Sequence, residues 1–316
     1  MDTKQITVFG GSGFLGRYVV RALAKSGWRI KVATRHPNKA FFLRPMGQVG
    51  QIGFIKCDVT DADQIAHAMS GSQAVVNLTG ILFQRGQTFD DVHAKAPEAI
   101  AREAARLNMR AFVHVSAIGA DAESDSHYAA TKAEGEKRVR EQFPNATIMR
   151  PSLLFGPEDR SFNRFAELAR FLPALPLIGG GRTQFQPVFV GDVAAAIVAA
   201  LDEPSAQGRT YELGGPTVYT FRQLMEIILG EIQRTRALVP LPFGIAAIKA
   251  IFLQLAPNPL LTPDQVKLLR KDNIVAPTAH TLKDLGIQPT TVEAEVPSYL
   301  WRYRAKGEYA DLAKER

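Results

Sequence analysis

The run His127-Tyr128-Ala129-Ala130-Thr131-Lys132 places a phenol and an amine four residues apart. On a helix that spacing puts both on one face. An ammonium near a phenol favours the ionised form, drawing the pKa of Tyr128 down toward the working range of a proton donor. Near the start of the chain, Ile6-Thr7-Val8-Phe9 runs into Gly10-Gly11-Ser12-Gly13-Phe14-Leu15-Gly16, and a helix-like run follows from Tyr18 to Lys25. This is a G-x-x-G-x-x-G dinucleotide fingerprint between a strand and a helix. Gly10 permits the tight turn, Gly13 lets backbone approach a pyrophosphate, and Gly16 lets the helix pack on the strand. With Ser12, Phe14 and Leu15 they form a cradle of N–H groups at the positive end of a helix.

The next strand, Arg29 to Thr34, ends at Arg35-His36. An NAD site usually carries Asp or Glu there for the ribose hydroxyls, whereas Arg suits a 2′-phosphate. Between Thr3 and Cys57 the chain has no acidic residue and ten Lys or Arg. NADP(H) is therefore favoured over NAD(H). Lys132 would hold the ribose of the nicotinamide.

The elements that must position these groups alternate. Strands are expected at Gly53–Cys57, Gln73–Leu78, Ala111–Ser116 and Ala146–Arg150, with helical segments at 90–108 and 132–143. That pattern predicts an α/β fold with a Rossmann-type, doubly wound parallel sheet, whose ligands lie beyond the carboxyl ends of the strands. Asp58, Thr79-Gly80, Ser116 and Pro151 fall at those ends. After Pro151 the pattern loosens. Helices are expected at 162–171, from Asp192 through 193–201, and at 221–234, 243–255 and 263–271, with a breaker-rich loop at 173–181 and a strand at 185–190. The organisation read from this is a dinucleotide-binding domain over 1–155, to which 185–215 returns. A smaller, mostly helical C-terminal lobe over 156–316 would lie across the nucleotide crevice.

The chain has 316 residues and a formal net charge of +7, with 46% hydrophobic and 22% charged residues. The basic residues are spread out and no nucleic-acid motif appears, so no nucleic-acid partner is expected. A single cysteine, Cys57, excludes an intrachain disulfide and fits a reducing compartment. No His, Cys or carboxylate cluster has metal-ligand spacing, so no metal is expected. No apolar run is long enough to span a membrane, and from the opening at Met1 no signal or transit segment is expected. Segment 243–253 is apolar nearly all round, with Lys249 its only charge, and the leucines at 238, 241, 255, 260 and 261 extend it. It reads either as a buried lobe helix or as a surface, through 238–261, for a partner or membrane. Arg302, Arg304 and Lys306 read as a solvated basic end.

Together these features resemble the short-chain dehydrogenase/reductase superfamily, in its extended and atypical branches. By that resemblance Gly10, Gly13 and Gly16 are the family's glycines, Arg35 its 2′-phosphate position, and Asp58-Val59 the pair that holds adenine. Leu78-Thr79-Gly80 is the loop under the adenosine ribose. Tyr128 and Lys132 are the catalytic Tyr and Lys, and Pro151 to Leu154 lies beside the nicotinamide. Two departures bear on turnover. The pair Ser116-Ala117 puts alanine in the catalytic serine slot, leaving Ser116 as a substitute if the turn shifts, and His93 stands where a helical Asn often positions the lysine through water. Losing a carbonyl donor in such a site costs roughly a hundredfold or more.

A narrower resemblance rests on Phe42 to Gly47, Phe155 to Arg160 with Asn163-Arg164-Phe165, Gln186 to Val190, and Leu261 to Val266. These look like the nucleotide-binding accessory subunits of respiratory complex I and their bacterial relatives; the start at Met1 suggests the bacterial form. The resemblance implies a tightly held, structural NADPH on a subunit or assembly factor at the peripheral arm, with little or no turnover. It implies a cytoplasmic protein, peripheral on the cytoplasmic face of the inner membrane. The competing expectation is a working NAD(P)-dependent oxidoreductase or epimerase/dehydratase using Tyr128 and Lys132, which would be kept for ribose binding in either case.

Overall fold

The computed structural model describes residues 4–305 and Gly307. The residues at the opening, Met1–Thr3, and Lys306 of the basic end lie outside them. The chain forms two compact units. One contains Met1–Pro151, Val190–Leu213 and Ala276–Gln288; the other contains Ser152–Phe189, Gly214–Val275 and Pro289–Arg316.

The first unit is a seven-stranded, all-parallel sheet. Its strands are β1 (Gln5–Phe9), β2 (Arg29–Thr34), β3 (Ile52–Lys56), β4 (Ala74–Asn77), β5 (Ala111–Val115), β6 (Thr147–Pro151) and β7 (Thr210–Leu213). They lie in the order β7-β6-β5-β4-β1-β2-β3. The order reverses between β1 and β4, which opens the crevice where doubly wound sheets take ligands. Helices α1 (Phe14–Lys25), α2 (Ala62–Met69), α3 (Ala96–Arg106), α4 (His127–Gln142) and α5 (Val190–Asp202) complete the unit. β4 and β5 are buried at every position, as strands covered on both faces must be. At the end of the sheet Arg150 on β6 pairs with Glu136 of α4 at 2.7 Å and with Glu212 of β7 at 3.5 Å. These charges tie the last strand pair to the helix above it.

The second unit is built from helices and short strand pairs. Phe162–Phe171 and Phe221–Glu231 bury an apolar face with Phe155, Leu175, Leu177, Val292 and Leu300. Asp159 lies buried at a turn, where Gly156 and Asn163 donate backbone N–H groups and the Tyr299 hydroxyl donates at 2.9 Å. The segment expected to be a loop at 173–181 instead contains the strand Ala174–Ile178, paired in parallel with Ala237–Leu241. Pro176 and Pro240 concealed both strands. A two-stranded pair has only edges, and there a proline's missing N–H is tolerated. The expected strand at 185–190 is two separate pairs, Gln184–Phe185 and Val188–Phe189, and the helix read from Asp192 starts two residues earlier, at Val190. Of the basic end, Arg302 is exposed, as expected, yet donates to Pro157 O and Asn163 Oδ1, while Arg304 is drawn in to pair with Glu231. Helix Phe243–Leu253 buries Ala246 and Ala250 and leaves Ile248, Ile251 and Phe252 at 60%, 52% and 70% exposure. No helix among the described residues is long and apolar enough to cross a membrane.

Candidate nucleotide site

β1 ends at Phe9, and the chain turns through Gly10 at φ +77°. A Cβ on Gly16 would lie 2.3 Å from Gly10 O, a separation that no side chain can meet. The glycine is what lets α1 begin directly against the turn. α1 has Gly13 as its N-cap, with no capping side chain and no acidic residue in its first turn. Its leading amides, including those of Phe14, Leu15 and Gly16, are therefore left for an anion rather than consumed by a cap.

A cavity of about 220 Å³ opens at the switch point. Gly10, Ser12, Gly13, Arg35, Val59, Leu78, Thr79 and Gly80 line it, so the structure gathers half of the sequence-derived cofactor residues around one space. Asp58 is adjacent. Its Oδ1 accepts from the Thr60 N–H and hydroxyl at 3.0 and 2.8 Å. Gln87 was not foreseen. It lines the same cavity, accepts from Arg35 Nη1 at 2.8 Å and donates to Asp58 Oδ1 at 3.3 Å. It sits in the irregular stretch after β4, where no periodicity marks it. Cys57 also lines the cavity, and burial pushes its thiol up to about 12, so it is inert there.

A buried polar cluster adjoins the cavity at Gly80: a Cβ there would lie 3.4 Å from Lys132 Nζ and 3.9 Å from His93 Nε2. Lys132 is 4% exposed and donates to Val115 O at 3.3 Å. Burial pushes its ammonium down to about 8, against a smaller opposing pull from Glu136. Tyr128 shares the helix face, as its spacing required, but the expected lowering of its pKa does not occur. Its ring packs edge-on to His93 and Phe89, at 5.1 and 5.9 Å between centroids, and burial raises the phenol to about 12. Desolvation alone sets the direction.

The hydrogen bonds fix the state of His93. The Ile81 N–H donates to Nε2 at 3.0 Å, so that nitrogen carries no proton. Nδ1 therefore carries it, 3.2 Å from Thr131 Oγ1, and the threonine hydroxyl donates onward to His127 O at 2.8 Å. Burial, followed by the charge of Lys132, holds His93 down to about 2. It is a neutral ring with both nitrogens engaged. His93 lies on a π-helical turn, Asp91–Lys95, against Gly135 of α4, where a Cβ would meet His93 O at 1.8 Å.

Asn77 Oδ1 accepts from the Thr79 N–H, so its amide nitrogen faces His114 Nδ1, at 3.1 Å. The His114 proton is then on Nε2, and this N–H and the hydroxyl of Ser116 are buried without a partner among the described residues. Ser116 continues β5, its N–H donating to Met149 O at 2.7 Å. Pro151 ends β6, buried. Leu154 starts the short strand Leu154–Phe155, which belongs to the second unit. The glycine cradle, the cation at Gly80 and two uncommitted buried polar groups all fit a dinucleotide.

This chain belongs to the NAD dependent epimerase/dehydratase family, whose model matches residues 6–214. It is 39% identical to the mitochondrial NADH dehydrogenase (ubiquinone) 1 alpha subcomplex subunit 9 of Arabidopsis thaliana, over 95% of this chain and 78% of that one. The Mus musculus subunit of the same name is 39% identical over 94% of this chain and 80% of its own length. Among solved structures, the dTDP-glucose 4,6-dehydratase of Bacillus anthracis in complex with NAD superposes with a TM-score of 0.72 at 18% identity. The match covers 95% of this chain and 96% of that one, a likeness of fold.

Proposed function

We propose that this chain holds NADP(H) as a fixed part of its structure and serves as an accessory or assembly subunit of respiratory complex I, with little or no turnover. The observation that carries the reading is its likeness to mitochondrial subunits of that name, which runs through both compact units of the chain. The nucleotide's diphosphate would rest on Gly10 to Gly16, its adenine near Asp58 and Val59, and its adenosine ribose above Leu78 to Gly80. Tyr128 and Lys132 would hold the nicotinamide ribose, with Pro151 and Leu154 beside the ring. A bound nicotinamide would supply hydride chemistry, but the surrounding residues favour retention. His93 has no free nitrogen to pass a proton, Ala117 offers no hydroxyl, and the Tyr128 phenol is held well above neutral pH.

NADP(H) is favoured over NAD(H) because Arg35 pairs with no carboxylate among the described residues; its partner is the neutral amide of Gln87. The exposed apolar side chains between 238 and 261, Phe252 and Leu255 foremost at 70% and 81%, would meet lipid headgroups and acyl chains at the membrane surface. The protein would then sit beside the peripheral arm, on the cytoplasmic side of the membrane.

The test is to tag the chain in its native host, solubilise membranes gently and identify what co-purifies. Complex I subunits in fixed proportion are expected. A soluble protein without them would overturn the assembly reading and favour an independent reductase.

A further inference from the structure

Three side chains brought together from distant parts of the first unit form a relay across the wall of the cavity. Arg35, just past β2, donates to Gln87 Oε1 at 2.8 Å, and Gln87 Nε2 donates to Asp58 Oδ1, just past β3, at 3.3 Å. Asp58 is itself pinned by Thr60. The position between a guanidinium and a carboxylate is chemically exacting. A guanidinium only donates and a carboxylate only accepts, so the residue between them must offer one acceptor and one donor. A neutral amide does both. A carboxylate at 87 would cancel the charge of Arg35 and repel Asp58, and an amine would repel Arg35.

We propose that Gln87 is a specificity-determining residue for the nucleotide. It aims the guanidinium of Arg35 into the cavity while leaving its charge uncancelled, and so sets the preference for a 2′-phosphate. This rests on the NADP(H) reading above. A 2′-phosphate entering the cavity would meet a cation already oriented by an uncharged partner. A 2′-hydroxyl would meet the same arrangement with no charge to recognise.

The test uses the full chain freed of nucleotide, with apo melting temperatures confirming that each variant folds. Dissociation constants for NADPH and NADH are measured by nicotinamide fluorescence for the wild type, Gln87→Glu, Gln87→Ala and Arg35→Ala. Loss of one charge-assisted contact predicts that Gln87→Glu weakens NADPH by about tenfold or more and NADH by no more than about twofold. Gln87→Ala should weaken NADPH by a smaller factor, because orientation is lost while the charge remains. If Arg35→Ala selectively weakens NADPH but Gln87→Glu leaves the NADPH-to-NADH ratio unchanged, the role of Gln87 is refuted and the cofactor reading stands. If the wild type prefers NADH, or Arg35→Ala leaves that ratio unchanged, the cofactor reading fails and this inference fails with it.

Discussion

Lys132 makes the folded protein pay for a buried charge, and the size of that penalty follows from its pKa. Burial moves the ammonium from 10.5 down to about 8. Below pH 8 the group is charged in both the folded and the unfolded chain, and the whole penalty is present. Between pH 8 and 10.5 the folded chain has released the proton while the unfolded chain still holds it, so raising pH stabilises the fold in that window. A shift of this size corresponds to roughly 3 kcal/mol.

Lys132→Met keeps the length and apolar stem and removes the charge. Against the relieved penalty stands the lost hydrogen bond to Val115 O, which costs about 1–2 kcal/mol. The nucleotide-free variant should therefore be more stable than wild type at pH 7 by about 1–2 kcal/mol. Urea unfolding of both proteins from pH 7 to 10.5 checks this, because their difference cancels the other titrating groups. The advantage should shrink as pH passes 8 and reverse near 10.5. A variant less stable at pH 7, or a difference independent of pH, would refute the argument that burial of Lys132 is unfavourable in the free protein.

Gly16→Ala should destabilise the fold by roughly 3 kcal/mol and abolish nucleotide binding, since its Cβ would press on Gly10 O; a urea midpoint near wild type would contradict the close-approach geometry. Tyr128→Phe should leave nucleotide affinity within about threefold, one neutral hydrogen bond at most, and leave assembly intact. Loss of a cellular oxidoreductase activity in that variant, with binding preserved, would sink the structural-cofactor reading. The double substitution Ile248→Glu and Phe252→Glu should release the protein from anionic vesicles in a flotation assay without changing its melting temperature, because both side chains are exposed. Unchanged flotation would remove 238–261 as the membrane contact.

The nucleotide half was legible because its signals are local. Ile6 to Gly16 combines strand, turn and helix start in eleven consecutive residues, and the strands β1, β4 and β5 are apolar enough to announce burial. β7 went unread: four residues long, it alternates Thr210 and Glu212 with Tyr211 and Leu213, and only its register with β6 makes it a strand. Gln87 was invisible for a different reason. Its meaning lies in Arg35 and Asp58, 52 and 29 residues away, and nothing in its own neighbourhood encodes them. The spacing of Tyr128 and Lys132 fixed a shared face but not the sign of the pKa shift. That sign comes from burial of the phenol, whose ring packs against Phe89 and His93.

The polar cluster at Gly80 is better suited to holding a ligand than to cycling one. Catalysis by a tyrosine needs a phenol that releases its proton near working pH and a route for that proton to solvent. Here the phenol is raised to about 12, and His93 accepts from one neighbour and faces another with its only proton. The free protein also carries unfavourable features at this place: the desolvated Lys132, and the His114 Nε2–H and Ser116 hydroxyl, which have no partner among the described residues. Each is a group that a polar, anionic ligand could relieve. On that reading the nucleotide completes the fold of the first unit, and its binding free energy appears as stability rather than as rate.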